Sequence, residues 1–248
     1  MAAIDTALSG KRVLITGASR GIGAAAARAF AAAGAHLALH YNSDPGEAST
    51  VVHSCLLQGD FTRMADVRRV VQDAIAHLGG LDVLVNNAGH MVARIPLGDM
   101  SDADIDAVFD LNARSVIVAC REALPALEAS QGSIVNVTSI SARSGGSTGS
   151  SLYAASKGFV STFTRSLANE LAPRGIRVNA VSPGTISTRF HEIYSTPEKL
   201  EATRRKIPLQ RLGTGDDCAG TFLYLASPKL GGYLTGQIVE VNGGSLMP

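Results

Sequence analysis

The sequence has no tryptophan, only 5% aromatic residues and three cysteines among its 248 positions. Cys55, Cys120 and Cys218 are odd in number, lie far apart and fit no metal-ligand spacing, so they predict buried free thiols rather than disulfides, redox chemistry or a metal site. The chain also has almost no excess of positive or negative residues, because its formal net charge is +1. Nucleic acid and anionic membranes are therefore not expected as partners. Neither a leader-like start nor an apolar run of roughly 18 residues is present, which predicts a cytoplasmic protein.

Short apolar runs alternate with helical patterns along the whole chain. The runs predict six strands, at Val13–Thr16, Leu37–Tyr41, Leu81–Asn86, Ser133–Ser139, Arg177–Ser182 and Gln237–Val241. The helical patterns fall at Gly23–Ala33, Asp66–Leu78, Asp102–Ala129, Ser151–Leu171 and Asp216–Leu225. Strands joined through helices form a parallel sheet covered on both faces. We therefore expect a single α/β domain over residues 1–248, with a doubly wound, Rossmann-type, three-layer fold and a mainly parallel central sheet.

The segment from Ser187 to Thr214 is too long for an ordinary connection. It contains a helical stretch at Pro197–Leu209 within otherwise irregular sequence. Long segments of this kind often cover binding sites, so residues 187–214 are predicted to form a substrate lid.

A glycine-rich loop, TGASRGIG at residues 16–23, lies between the first strand and an alanine-rich helix. Such a turn points backbone N–H groups and the positive end of the helix dipole toward a ligand above the sheet. The spacing G-x-x-x-G-x-G differs from the usual dinucleotide fingerprint, and a plain tight turn remains the alternative. GDFT at residues 59–62 and NNAG at residues 86–89 also follow apolar runs, in the order a dinucleotide would need.

A tyrosine and a lysine stand one helical turn apart in YAASK, at Tyr153 and Lys157. A phenol is a poor base at pH 7, but a nearby ammonium favours the phenolate and lowers its pKa. Tyr153 would then exchange a proton with a carbonyl oxygen. Ser139, at the end of its strand, offers a hydroxyl to hold that oxygen.

Together these motifs resemble the short-chain dehydrogenase/reductase family in its short, single-domain form. The resemblance covers essentially the whole chain, from TGASRGIG through NNAG, NVTS…YAASK and SPGTIST to YLTGQIVEVNGG. It implies Asn112, Ser139, Tyr153 and Lys157 as the catalytic set, with Asn112 in a proton relay to the lysine. The interval from Ser139 to Tyr153 is one residue longer than the family pattern, so Ser141 remains a minor alternative to Ser139.

The resemblance also implies a nicotinamide cofactor. The glycine loop would hold the phosphates, Asp60 and Phe61 would contact adenine, and Lys157 would bind the nicotinamide ribose. The full set of implied cofactor residues is Gly17, Ser19, Arg20, Gly21, Ile22, Gly23, Tyr41, Asn42, Ser43, Asp60, Phe61, Asn87, Ala88, Gly89, Tyr153, Lys157, Pro183, Gly184, Ile186 and Thr188.

NADP(H) is favoured over NAD(H) for two reasons. The position at which the family carries an acid that repels the 2′-phosphate of NADP(H) is occupied here by Tyr41. Arg20, with Asn42 and Ser43 beside it, suits a ribose 2′-phosphate. Asp44 follows the glycine loop at a separation along the chain that would also suit this discriminating acid. We assign it instead to a local DPGE turn.

Among family members, bacterial 3-oxoacyl-[acyl-carrier-protein] reductases are the most similar in pattern. The expected substrate is a small carbonyl compound or secondary alcohol, and acyl carrier protein is one option as partner. Arg174 matches one basic docking position, but Ser130 stands at the other. The lid residues Arg189, His191, Tyr194, Arg204 and Arg205 are consistent with a polar or anionic carbonyl, or with ordinary surface charge. An NAD-dependent sugar, polyol or steroid dehydrogenase and a non-catalytic nucleotide sensor are the alternatives. The family resemblance implies a homotetramer, with a dimer as the alternative.

Overall fold

A parallel sheet forms the centre of the computed structural model, which describes residues 5–187 and 196–247. Its strands are β1 Arg12–Ile15, β2 His36–Tyr41, β3 Ser54–Gln58, β4 Val83–Asn86, β5 Ser133–Val137, β6 Arg177–Pro183 and β7 Ile238–Val241. The seven strands lie in the order β3-β2-β1-β4-β5-β6-β7, and every neighbouring pair is parallel. The strand order reverses between β1 and β4, which is where ligands bind in doubly wound sheets.

The sheet contains one strand more than the six predicted, and that prediction was wrong at β3. Strand β3 lies at the edge of the sheet and pairs only with β2 among the described strands, placing Leu56 opposite Leu39. Its sequence, SCLLQ, has no fully buried residue. A short, half-exposed edge strand with polar ends gives little hydrophobic pattern to detect.

Helices cover both faces of the sheet. They are α1 Gly21–Ala32, α2 Met64–Leu78, α3 Asp102–Phe109, α4 Ser115–Ser130, α5 Ser141–Ser144, α6 Ser151–Leu171, α7 Pro197–Lys206 and α8 Gly215–Ala226, with 3₁₀ turns at Gly46–Thr50, Leu97–Asp99 and Ala172–Arg174. Helices α1 and α8 pack on one face, around Phe30 and Phe222. Helices α2, α4 and α6 pack on the other, around Leu84 and Ile134. Over the described ranges, no helix has the length and apolar character needed to cross a bilayer.

The predicted helix Asp102–Ala129 is divided into α3 and α4 by one turn of π-helix at Asp110–Arg114. Pro125 lies within α4 and does not divide it. The cause of the irregularity lies at Asn112, whose amide donates to the Val108 carbonyl oxygen at 2.9 Å. Single turns of π-helix inside α-helices occur frequently at functional sites.

Candidate active site

The glycine loop between β1 and α1 fits closely against the segment that follows β4. A Cβ on Gly23 would lie 2.2 Å from the Gly17 carbonyl oxygen, and a Cβ on Gly17 would lie 2.9 Å from the Ala88 Cα. Gly17 also has φ of 66°, which glycine adopts without strain. No side chain among the described residues caps the N-terminus of α1. The first N–H groups of this helix therefore remain available to an anion in the cavity, as a pyrophosphate requires.

His40 supports this loop from below, a role that sequence reasoning missed. Its Nδ1 accepts from the Gly17 N–H at 3.1 Å, and its Nε2 lies 3.0 Å from the Gly59 carbonyl oxygen. The ring stacks on Phe61, with centroids 3.7 Å apart. Burial lowers the His40 pKa to about 4. The imidazole is therefore neutral at pH 7, and it links the phosphate-binding loop to the segment predicted to contact adenine.

The two residues predicted to contact adenine both line the cavity. Phe61 is almost fully buried beside His40, so its ring acts chiefly as the floor of this region. The Asp60 carboxylate accepts from the Thr62 backbone N–H at 2.9 Å and from the Thr62 hydroxyl at 2.8 Å. These bonds fix the turn after β3 in a defined position beside the glycine loop.

Arg20 and Asp44 form an ion pair at the same end of the cavity, with Nη2 and Oδ2 2.9 Å apart. The other Asp44 oxygen accepts from the Gly46 N–H. Both side chains line the cavity, as do Asn42 and Ser43, but Tyr41 does not. The Gly46 bond is the local one expected of the DPGE turn, but the contact with Arg20 was not expected. The turn curls back so that this carboxylate reaches the glycine loop.

Ser139, Tyr153 and Lys157 converge at the carboxyl end of β5, where helix α6 begins. The Ser139 hydroxyl hydrogen-bonds with Tyr153 and also accepts from the Ser141 N–H at 3.1 Å. The Lys157 Nζ lies 5.8 Å from the Tyr153 ring centroid and donates to the Val137 carbonyl oxygen at 2.9 Å. The hydroxyl that meets the tyrosine is thus the one on Ser139, while Ser141 contributes its backbone.

The pKa values of this pair are set mainly by desolvation. Loss of water around the Tyr153 hydroxyl raises its pKa to about 12, and the bond with Ser139 only partly opposes that rise. Burial lowers the Lys157 pKa to about 8. The expected lowering of the tyrosine pKa is therefore not found in this arrangement. At 5.8 Å from the ring centroid, with its proton directed at a backbone carbonyl, the lysine does not outweigh the desolvation.

Asn112 lies behind the cavity wall, in the π turn. Its Nδ2 donates to the His90 carbonyl oxygen at 2.8 Å, and its Oδ1 accepts from the His90 N–H at 3.0 Å. A Cβ on Gly89 would lie 2.8 Å from that Oδ1 and 2.9 Å from the Lys157 Nζ. The structure thus brings the polar ends of Asn112 and Lys157 to the same side of Gly89, although Asn112 is not among the residues that line the cavity.

Two loops close the cavity beside Tyr153. The segment between Ser139 and Tyr153 contains α5 and a glycine- and serine-rich turn. The Ile95 N–H donates to the Gly149 carbonyl oxygen at 2.9 Å, and Arg94 Nη1 donates to the Ser147 hydroxyl at 2.6 Å. The loop after β4 and the loop after β5 are therefore fastened together.

The predicted lid contributes helix α7, from which Lys199, Leu200 and Thr203 line the cavity. Arg204 and Arg205 do not line it, and both bind Glu201 instead, at 2.7 and 2.9 Å. These ion pairs lower the Glu201 pKa to about 2. For these two arginines the structure therefore favours the alternative of ordinary surface charge over a contact with the substrate. Thr188, Arg189, His191 and Tyr194 lie outside the described residues.

The glycine loop, the adenine-side residues, the Ser139–Tyr153–Lys157 group and part of α7 line one cavity of about 820 Å³ at the carboxyl ends of the strands. Such a volume is within the range of roughly 300–1,000 Å³ typical of ligand sites. The predicted site residues that line it are Gly17, Ser19, Arg20, Gly21, Ile22, Gly23, Asn42, Ser43, Asp60, Phe61, Asn87, Ala88, Gly89, Ser139, Tyr153, Lys157, Pro183, Gly184 and Ile186.

Comparisons with known proteins agree with this architecture. A family model described as enoyl-(acyl carrier protein) reductase matches residues 17–245. The chain is 36% identical to a 3-oxoacyl-[acyl-carrier-protein] reductase of Synechocystis sp., covering 98% of this chain and 99% of the relative.

Two solved structures are similar over nearly their whole length. An NADH-dependent reductase, A1-R′, responsible for alginate metabolism has a TM-score of 0.90 and 35% identity, covering 98% of this chain and 100% of that one. A short-chain dehydrogenase from Burkholderia cenocepacia in complex with NADP has a TM-score of 0.89 and 37% identity, covering 96% of this chain and 98% of that one.

Proposed function

Since this chain belongs to the short-chain dehydrogenase/reductase family of oxidoreductase enzymes, we propose that it transfers hydride between NADP(H) and a carbonyl compound or secondary alcohol. The observation that carries this proposal is the convergence of Ser139, Tyr153 and Lys157 on the same cavity as the glycine loop. Fold alone does not assign an activity. An acid/base group beside a phosphate-binding loop supports this activity, because reduction of a carbonyl by a dinucleotide needs a proton donor and a bound cofactor at the same place.

The residues present fit a dinucleotide. The uncapped N-terminus of α1 would hold the pyrophosphate, Asp60 and Phe61 would flank adenine, and Lys157 would bind the nicotinamide ribose. When bound, the nicotinamide supplies or accepts the hydride. Pro183, Gly184 and Ile186 would contact its carboxamide, with Thr188 as a further predicted contact.

In the reductive direction, Tyr153 gives its proton to the carbonyl oxygen that Ser139 holds by a hydrogen bond. A tyrosine whose pKa is about 12 is fully protonated at neutral pH, as a proton donor must be. Asn112 would connect Lys157 with solvent, so that the proton lost by Tyr153 is replaced.

The preference for NADP(H) rests on Arg20, which lines the cavity together with Asn42 and Ser43. The Asp44 carboxylate already forms an ion pair with the Arg20 guanidinium, so it would compete with a 2′-phosphate for it. We therefore expect a modest preference for NADPH and measurable use of NADH. The same ion pair favours the second candidate, an NAD-dependent sugar, polyol or steroid alcohol dehydrogenase. A non-catalytic nucleotide sensor would have no use for the buried Tyr153–Lys157 pair.

The carrier-protein option receives little support from the surface. Arg174 donates to the Glu128 carboxylate through Nε, at 2.8 Å, and through Nη2. The Ser130 hydroxyl donates to the Leu81 carbonyl oxygen. A basic docking patch for an acidic partner would need uncompensated positive charge at these positions. We therefore favour a free small-molecule substrate over an acyl carrier protein.

Self-association as a homotetramer is part of the proposal. Apolar side chains remain exposed on the helices that would meet their copies, including Ile105, Ile117 and Phe159. Tyr233, beside the edge strand β7, is fully exposed. Light scattering after gel filtration tests this, because a mass near 25.6 kDa would exclude both a dimer and a tetramer.

The test of the function is titration of the protein with NADPH and NADH, followed by turnover of a panel of carbonyl compounds, β-ketoacyl thioesters and sugar alcohols. Arg20→Ala should weaken NADPH binding more than NADH binding. Equal losses of NADPH and NADH affinity would mean that Arg20 does not contact the 2′-phosphate. Binding of neither nucleotide would contradict the proposed function itself.

A further inference from the structure

His40 lies between two loops that a bound dinucleotide would contact at the same time. It is only 2% exposed, and it lines the cavity from β2. On one side its ring meets Gly17 of the glycine loop, and on the other it meets Gly59 and Phe61 of the loop after β3. The first loop is predicted to hold the pyrophosphate and the second the adenine. One side chain therefore contacts both parts of the predicted nucleotide site.

The loop after β3 gives this ring a fixed support. Two side chains of α2, Asp66 and Arg69, hydrogen-bond with the backbone on either side of Gly59, at 3.0 and 2.8 Å. The His40 Nε2 in turn bonds with the Gly59 carbonyl oxygen at 3.0 Å, and the ring stacks on Phe61. The imidazole is therefore held in one orientation by its own surroundings.

The opposite side of the ring holds the Gly17 backbone. The Gly17 N–H donates to Nδ1 at 3.1 Å, and the next N–H, of Ala18, donates to the His40 carbonyl oxygen at 2.8 Å. The Gly17 carbonyl oxygen accepts from the Asn87 side chain at 2.9 Å. Rotation of these peptides would leave buried polar groups unpaired, which is costly. The loop is thus preorganised, and preorganisation lowers the cost of binding a ligand.

Only a neutral imidazole with its proton on Nε2 makes both ring bonds. Nδ1 accepts from an N–H and needs its lone pair, whereas Nε2 must donate to a carbonyl oxygen. Burial lowers the pKa of His40 to about 4, so the ring is neutral at pH 7. The charged groups that act on it are Asp60, Asp66 and Arg69, each of which affects its pKa less than burial does.

We propose that His40 is a positioning residue for the cofactor, and that its Nδ1 holds the glycine loop in the geometry that binds the pyrophosphate. This inference rests on the function proposed above, because it concerns the nucleotide half of the same cavity. It assigns to His40 an effect on nucleotide affinity rather than on proton transfer, because the bonds of its ring go to the two loops that would hold the nucleotide.

The test compares His40→Gln with His40→Asn. The Asn oxygen can take the place of Nδ1 and keep the bond with Gly17, whereas the longer Gln reaches the place of Nε2 and leaves the Gly17 N–H without its acceptor. An unpaired buried donor changes an equilibrium constant by roughly 5- to 150-fold. His40→Gln should therefore raise the Kd values of NADPH and NADH equally, by about tenfold or more, and His40→Asn by less than about threefold.

Two further measurements locate the effect at the glycine loop. ADP, which carries a pyrophosphate, should lose affinity for His40→Gln by the same factor as the dinucleotides, whereas adenosine, which has no phosphate, should not. In turnover, the KM for the nucleotide should rise while kcat at saturation stays within about threefold of wild type. Equal weakening of ADP and adenosine would indicate a general change of structure and would overturn the proposal.

The control is His36→Gln, because His36 is an exposed histidine on the same strand and does not line the cavity. It should leave each Kd within about twofold of wild type. Nitrogen-15 NMR of the wild-type protein tests the geometry even if His40→Gln does not fold. The proton of His40 should be on Nε2 at pH 7, and a proton on Nδ1 would overturn the proposal.

Failure of this inference can be distinguished from failure of the proposed function. If His40→Gln binds both nucleotides as tightly as wild type and turnover is intact, only the role of His40 is overturned. If the variant loses affinity but wild type turns over no carbonyl compound or alcohol, the role of His40 is supported and the oxidoreductase function is contradicted. Binding of neither nucleotide by wild type would contradict both.

Discussion

Replacement of Asp44 by asparagine should increase the preference for NADPH. In the structure the Asp44 carboxylate binds the Arg20 guanidinium at 2.9 Å, at the place where a 2′-phosphate would be recognised. The phosphate must therefore displace a carboxylate and then remain close to it. Asparagine keeps the shape of the side chain and its ability to accept from the Gly46 N–H, but it removes the competing charge.

The magnitude follows from two contributions. Both side chains are largely exposed, with 38% of Arg20 and 63% of Asp44 accessible, so breaking their ion pair costs at most about 1 kcal/mol. A carboxylate about 5 Å from a phosphate carrying nearly two charges adds about 1–2 kcal/mol in water, reduced further by salt. After this screening, the combined effect is about 1–2 kcal/mol. That energy corresponds to a roughly 5- to 30-fold lower Kd for NADPH.

NADH should respond differently, because its ribose hydroxyl has no charge to be repelled. Its affinity should stay unchanged or fall by up to about tenfold if the hydroxyl donates to Asp44. Fluorescence titration of both nucleotides, at low and high salt, measures the two effects. The gain for NADPH should shrink at high salt.

The matched control is Glu47→Gln, which changes the net charge by the same amount. Glu47 lies near Asp44 in the chain, but it binds Arg28 and does not line the cavity. If both variants shift NADPH and NADH equally, general surface charge explains the result. The Asp44–Arg20 pair would then not distinguish the 2′-phosphate of NADPH from the 2′-hydroxyl of NADH.

Three further predictions concern residues in and beneath the cavity. Tyr153→Phe should leave only a few per cent of turnover, while the Kd for the nucleotide stays nearly unchanged. Higher residual activity in steady-state assays would contradict the role of Tyr153 as proton donor. Because the folded-state pKa of His40 is about 4, against its ordinary 6.5, the free energy of unfolding should fall by about 2 kcal/mol from pH 7 to pH 5. Urea denaturation should show a smaller fall in His40→Asn, and an equal fall would mean that other groups cause it. Gly89→Ala should reduce turnover at least tenfold in the same assays, because the new Cβ would meet Asn112 and Lys157 within 3 Å. Gly98→Ala, with nothing within 4 Å, should be neutral, and similar losses in both variants would contradict this explanation.

The family, the fold class and the convergence of the glycine loop, NNAG and Ser139 on one cavity could be predicted from sequence, because each of these follows a strand and parallel strands end at one edge. Tyr153 and Lys157 share a helix face, so their proximity follows from helical geometry alone. The predicted helix Ser151–Leu171 agrees with the structure at both ends.

The remaining details depend on contacts between distant segments, which periodicity does not report. The Arg20–Asp44 pair depends on how the turn after β2 curls back, and the support by His40 depends on two separate loops, after β1 and after β3, meeting at one ring on β2. Strand β3 is held by pairing with β2 rather than by a strong apolar pattern. The raised pKa of Tyr153 reflects desolvation by the folded cavity, whereas sequence shows only the neighbouring lysine.

The bond between Ile95 and Gly149 has a consequence for how this enzyme can diverge. The loop that carries Arg94 and the loop that spaces Ser139 from Tyr153 behave as one unit. Lengthening or shortening either loop alone would strain or break this bond and shift the loop that precedes Tyr153. We therefore expect length changes in one loop to be tolerated best when the other changes with it, so the two segments should be exchanged together when this cavity is transplanted into another scaffold of the family.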